Sequence, residues 1–212
     1  VSATARAIAK PIVYPSRMAA IGVTGGIGSG KSTFCRMLAP LLHAETFDAD
    51  AAAKKFLSGD PAVKNEVTAA LGASCFLADG TPDRAAIRAK IFSDSAAKRL
   101  LEEILHPRVR AEWTRLAEAA RAENKHFLAD IPLLFETGAE KHLDFVVAVA
   151  CSPETQLKRV TSRGLSTAEA QPVIASQMPL AEKVQRANSV AWNDGSLETL
   201  QAQAALLARR LA

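Results

Sequence analysis

With 212 residues, 49% hydrophobic and 23% charged side chains, the chain can form one sizeable core with an inserted lobe. A net charge of +4 suits polyanionic small molecules and could suit nucleic acid, while an aromatic fraction of 5% leaves few stacking platforms for the latter; composition alone does not decide, and no nucleic-acid partner is expected. No apolar run reaches membrane-spanning length, and Cys35, Cys75 and Cys151 form neither a C-x-x-C pair nor a disulfide framework.

The three cysteines read as reduced thiols, with a cytoplasmic setting, no membrane partner and a monomer or weak oligomer expected. Residues 1–17 carry Arg6, Lys10 and Arg17 and no acid, and they read as an extension before a start at Met18, outside the fold.

The first apolar run, Ala19-Ala20-Ile21-Gly22-Val23-Thr24, predicts a strand leading into Gly25-Gly26-Ile27-Gly28-Ser29-Gly30-Lys31-Ser32-Thr33. That is the full G-x-x-x-x-G-K-[ST] loop, followed by the helical pattern Phe34-Cys35-Arg36-Met37-Leu38. Glycines let successive N–H groups turn inward toward phosphate oxygens, and the helix N-terminus adds its positive end to the same site. Lys31 reaches the β/γ-phosphates and the Ser32 hydroxyl can ligate an accompanying Mg²⁺. The loop identifies a nucleoside-triphosphate site. Cys35, just behind it, reads as a small core residue.

Ala44-Glu45-Thr46-Phe47 predicts a second strand ending at Asp48-Ala49-Asp50. Either aspartate can cap the Ala-rich helix that follows, and either can hold metal-bound water or take a proton from an attacking hydroxyl. A long helical insertion then runs from about Ala51 to Asn124, with turns at Ser58-Gly59-Asp60-Pro61 and Asp79-Gly80-Thr81-Pro82. Its clearest stripe is Leu101, Ile104, Leu105, Val109, Trp113 and Leu116, read as core. At His106-Pro107 the stripe predicts a kink or a new helix.

Further strands are predicted at His126 to Asp130, Leu143 to Val149 and Ser189 to Trp192. The runs lacking polar alternation fit parallel strands covered by helices on both faces. Asp130 ends its strand as a metal-orienting carboxylate does. Ser152-Pro153-Glu154 starts a helix carrying Gln156, Lys158, Arg159 and Arg163, and Ser166-x-x-Glu169 fits a capping box. Two helices with arginines at their junction suit a lid over phosphates. The segment Asn124-Lys125-His126-Phe127 lacks the Asp that guanine recognition requires, which removes a GTPase reading.

These segments, with Asp83-Arg84-Ala85-Ala86-Ile87-Arg88, Leu105-His106-Pro107-Arg108-Val109, Ile131-Pro132-Leu133-Leu134-Phe135-Glu136, Ser176-Gln177 and Asn193-x-Gly195, resemble the dephospho-CoA kinase family. The resemblance covers nearly everything from Met18 onward. It implies a three-layer α/β/α P-loop kinase fold: a parallel five-stranded sheet, a helical substrate-binding insertion at about 58–124 and a lid at about 160–185, in one domain over 18–212. It further implies transfer of the ATP γ-phosphoryl group to the 3′-hydroxyl of dephospho-CoA, with Mg²⁺, as the last step of coenzyme A biosynthesis.

By the same likeness Asp50 is the base, Lys31, Arg159 and Arg163 act on the triphosphate, and Ser32 and Asp130 attend the metal. Gly26 through Thr33 and Asn193 would bind ATP, the latter segment reaching adenine through its backbone. Asp48, Arg84, His106, Pro107, Leu133, Leu134, Phe135 and Glu136 would bind dephospho-CoA, although Leu133 to Phe135 by themselves read as ordinary core and His106 equally as helix packing. Lys54 stands where the family often has Arg or His, and Asn188 where it has Asp. From the residues alone a kinase of another small acceptor, or a nucleotide-binding module without turnover, stays open. Intact Lys31, Ser32, Asp50 and Arg163 argue against the second.

Overall fold

Valine, isoleucine, alanine and phenylalanine dominate the central strands because both faces of those strands are buried. In the computed structural model, which describes residues 14–15 and 19–211, β1 (Ala20–Gly25), β3 (Phe127–Asp130) and β4 (Phe145–Ala150) are buried at every position. The edge strands β2 (Glu45–Asp48) and β5 (Ser189–Trp192) each bury only their third residue fully. All pairs are parallel, in the order β2-β3-β1-β4-β5. The sheet therefore opens outward from β1, and ligands of such sheets gather at the carboxyl ends beside the strand where the connections diverge. The phosphate loop leaves β1 at that point.

One face of the sheet packs on α1 (Lys31–Leu41) and α9 (Leu197–Leu211), through Ile21, Val23, Phe34, Leu38, Val147, Leu200 and Leu207. Cys35 belongs to this cluster, and burial pushes its thiol well above the usual range. The other face packs on α2 (Ala49–Gly59) and α5 (Ser95–Ala122), through Phe47, Val109, Trp113, Phe127 and Leu134. A satellite core of Val63, Val67, Leu71, Cys75, Ile87 and Leu105 joins α3 (Pro61–Leu71) and α4 (Arg84–Ser93) to α5, and this forms the helical lobe. Two short helices, α6 (Pro153–Thr161) and α7 (Thr167–Ala175), follow β4, and α8 (Leu180–Arg186) leads into β5. The expected capping box is present: Glu169 N donates to Ser166 Oγ and Ser166 N to Glu169 Oε2.

One expectation is corrected. Pro107 does not start a new helix; α5 runs through it unbroken for 28 residues. Losing one N–H donor there is outweighed by a buried stripe, Leu105, Val109, Trp113, Ala117 and Ala120, that continues across the proline. The Ile104 carbonyl near it also accepts from Arg108 Nη1 at 2.7 Å. The expected extension 1–17 lies, with Met18, outside the described residues except for positions 14 and 15. Tyr14 is described, and it belongs to the packing: its ring stacks on Phe145 at 5.5 Å and its hydroxyl accepts from Arg210. Among the described residues no helix is long and apolar enough to cross a membrane.

Candidate active site

The loop needs backbone angles that side chains resist. Gly28 and Gly30 have φ of +77° and +96°, and a Cβ on Gly30 would lie 2.2 Å from Asn193 Nδ2. Phe34 N donates to Gly30 O at 3.0 Å, so α1 begins directly from the loop. Ile27, Gly28, Gly30, Lys31, Ser32 and Thr33 line a cleft of about 530 Å³, which Asp50, Leu133, Arg163 and Gln177 complete. Gly26 and Ser29 are buried beneath it.

The three aspartates at the strand ends have separate placements. Asp48 is the N-cap of α2, its Oδ1 accepting from Ala51 N at 2.9 Å. Asp130 accepts the Ser32 hydroxyl on Oδ2 at 2.7 Å, while its buried Oδ1 has no partner among the described residues. Asp50, in the first turn of α2, makes no hydrogen bond to another described residue. Its carboxyl is open to the cleft, yet the surrounding walls remove enough water to raise its pKa, with Asp48 adding to the rise and Lys31 and Lys54 opposing it. Burial likewise raises Asp130, against the Ser32 bond and Lys31.

Asp50, Pro132 and Leu133 also line a second, narrower cavity of about 90 Å³ with His106, Arg110, Trp113 and Thr137. Asp50 therefore stands between the loop cleft and this cavity. His106 is half-buried, and desolvation with nearby Arg110 lowers its pKa, Glu102 opposing, so the imidazole is neutral at pH 7. Arg110 donates to Thr137 O and lines the cavity beside His106. Sequence reading missed it, although it lies four positions after His106 and therefore on the same helix face.

Other expected site residues sit elsewhere. Leu134 and Phe135 are 0% and 6% exposed and belong to the core under β3, so neither has a face open to a ligand. Glu136 is turned away from the cleft: its Oε1 pairs with Lys183 at 2.8 Å and accepts from Met178 N at 2.9 Å. Pro107 is exposed and does not line the loop cleft or the narrow cavity; with Glu102, His106 and Arg110 it lines a wider groove of about 710 Å³ along α5. Arg84 lines a separate groove between α4 and α7, away from Lys31.

Arg159 does not reach into the cleft. Its Nη2 donates to Asn193 O at 2.9 Å and its Nη1 lies 3.5 Å from the Gly28 and Ser29 carbonyls, so it braces the loop. Arg163 is exposed and lines the cleft. Asn193 is buried and donates to Ser29 O at 2.8 Å, again as a brace. Asn188 accepts from Val146 N at 2.8 Å and belongs to the sheet edge. Two braces escaped sequence reading: Gln156 donates to Ile27 O and Gln177 accepts from Ile27 N, each at 2.9 Å. Both residues are more than a hundred positions from the loop, and nothing local signals their contact.

A Mg²⁺ ion is usually held by one or two protein oxygens plus phosphates and water. Consistent with that, the described residues contain no group of three or more His, Cys, Asp or Glu that could hold a metal. The Ser32 hydroxyl lines the cleft and bonds Asp130 behind it, whose buried Oδ1 is partnerless among the described residues; these hard oxygen donors fit such an ion.

Known proteins extend the picture from the cleft to the whole chain. A family model described as dephospho-CoA kinase matches residues 19–199. The dephospho-CoA kinase of Methylococcus capsulatus is 39% identical over 195 residues, covering 91% of this chain and 96% of that protein. That of Geobacter sulfurreducens is 42% identical over 184 residues, covering 85% and 92%. Among solved structures, a Thermus thermophilus protein superposes with a TM-score of 0.73 at 35% identity, covering 91% of this chain and 98% of its own. The dephospho-CoA kinase from Campylobacter jejuni does so with a TM-score of 0.68 at 29% identity, covering 90% and 95%. Matches of this length and identity reach from β1 to α9, and on them the chain belongs to the dephospho-CoA kinase family and is a kinase.

Proposed function

We propose that the loop cleft holds ATP, that the adjoining cavity admits the ribose end of dephospho-CoA, and that Asp50 receives the proton of the 3′-hydroxyl during transfer. The observation that supports this most is the position of Asp50. It is the strand-end carboxylate free of other work, open to the cleft and shared by both spaces. In the transfer, O3′ forms a bond to the γ-phosphorus as the bond from that phosphorus to the bridging oxygen breaks. The electron pair leaves with ADP and the hydroxyl proton passes to Asp50. Because such a transfer is loose, positioning and charge neutralisation matter more than basicity.

Lys31 and the loop amides would hold the β- and γ-phosphates, and Arg163 would meet the equatorial charge on the moving group. Ser32 and Asp130 would hold Mg²⁺, which when bound neutralises charge on the β/γ-oxygens. Neutral His106 and Leu133 would form the acceptor wall. The free, buried thiols of Cys35, Cys75 and Cys151 support a reducing, cytoplasmic setting. The test is coupled ADP release with ATP and Mg²⁺ in the presence of dephospho-CoA, a nucleoside or shikimate. Release with dephospho-CoA supports the reading; silence with it alongside release with another acceptor overturns it.

A further inference from the structure

Lys183 is a lysine with no exposed surface, and the reaction outlined above does not use it. Its ammonium, on α8, donates to Pro132 O at 2.7 Å and pairs with Glu136 Oε1 at 2.8 Å. Both acceptors lie on one turn after β3, and Pro132 with Leu133 forms the wall shared by the two spaces of the site. Thr24 at the end of β1 donates to the same Pro132 carbonyl at 3.1 Å. Glu136 Oε1 also accepts from Met178 N at 2.9 Å, and the neighbouring Gln177 accepts the Ile27 amide at the tip of the phosphate loop at 2.9 Å. A continuous path of named bonds thus joins acceptor wall to donor loop: Pro132, Lys183, Glu136, Met178, Gln177, Ile27.

Stability alone is a weak reason for this pair. Lys183 is fully buried while Glu136 keeps contact with solvent, and the desolvation of the lysine offsets much of the attraction between them. The pair does fix three segments against one another. We propose that Lys183 and Glu136 are positioning residues that hold Gln177 on the Ile27 amide, so that the apparent affinity of the loop for ATP depends on this pair. The inference rests on the loop being the ATP site.

The test is a kinetic cycle on the full chain with ATP, Mg²⁺ and dephospho-CoA. The paired variant Lys183→Met with Glu136→Gln removes both charges together, so no ammonium is left stranded. Gln177→Ala removes the contact at the loop and leaves the Lys183–Glu136 pair intact. Each should raise KM for ATP about threefold to tenfold, and the triple variant should raise it no further than Gln177→Ala alone, since residues acting through one contact are not additive. KM, unlike kcat, is unaffected by loss of folded enzyme, which separates positioning from a merely structural role. An unchanged KM in the paired variant, or effects that multiply in the triple variant, overturns the inference. If the paired variant does not fold, an unchanged KM in Gln177→Ala overturns it alone. Wild-type protein that does not turn over these substrates overturns the functional reading instead.

Discussion

Asp50→Asn separates catalysis from folding more cleanly than any other single change in this site. The replacement keeps the side-chain volume and removes the charge and the capacity to take a proton. Asp48 remains the cap of α2 through Ala51 N, so the start of the helix is untouched. Asp50 is exposed and makes no hydrogen bond to another described residue, so no partner is left stranded, and stability should stay within about 0.5 kcal/mol. A positioned proton acceptor contributes roughly 10²- to 10⁴-fold. At 1.36 kcal/mol per tenfold that corresponds to about 3–5 kcal/mol of transition-state stabilisation. The assay is steady-state ADP release at saturating ATP and dephospho-CoA, with thermal unfolding and nucleotide titration on the same sample. We expect kcat to fall by at least a hundredfold while Tm and ATP affinity hold. A kcat within threefold of wild type would refute the role given to Asp50, and a large fall in Tm would refute the claim that it is free of structural work.

Five other perturbations follow from the same geometry. The raised pKa of Asp50 predicts that kcat/KM falls as pH drops through a value above the ordinary aspartate pKa of about 3.9, because the base must be deprotonated; a pH profile checks this, and the limb should vanish from the residual activity of Asp50→Asn. Gly30→Ala forces a Cβ to 2.2 Å from Asn193 Nδ2 at φ +96°, so stability should fall by about 1–3 kcal/mol and KM for ATP should rise at least tenfold, read by denaturant titration and kinetics. Arg163→Ala, at an exposed position, should lower kcat with Tm nearly unchanged, whereas Arg159→Ala, which frees the loop carbonyls, should raise KM for ATP and lower Tm. Trp113→Ala empties a site that is 2% exposed and should cost about 3–5 kcal/mol, a Tm drop of roughly 6–20 °C by calorimetry.

The phosphate loop was legible because its requirement is local: tight backbone turns demand glycine, and phosphate demands Lys31 and Ser32. The central strands were legible because burial on both faces writes an unbroken apolar run. Apart from the family resemblance, Asp48 and Asp50 were not separable as caps, since either can cap a helix; only the path of the chain at Ala51 N decides which one does. Leu133 through Glu136 form a contiguous motif, but contiguity does not say which side chains face a ligand. The chain turns there, leaving Leu133 at the cleft, Leu134 and Phe135 in the core and Glu136 on Lys183. Pro107 looked like a break because helix rules are local, whereas the stripe that overrides it extends over the length of α5. Gln156, Gln177 and Lys183 act on partners brought near only by the finished fold.

Phosphate transfer to one hydroxyl of one acceptor is what distinguishes this site from other phosphate-loop kinases. The direct measurement is phosphorus NMR with mass spectrometry of the product formed from ATP, Mg²⁺ and dephospho-CoA. The account predicts a single new phosphomonoester on the 3′-oxygen of the ribose, one for each ADP released, and none with Asp50→Asn over the same interval. A phosphate on another oxygen, or ADP release without a phosphorylated acceptor, would contradict it.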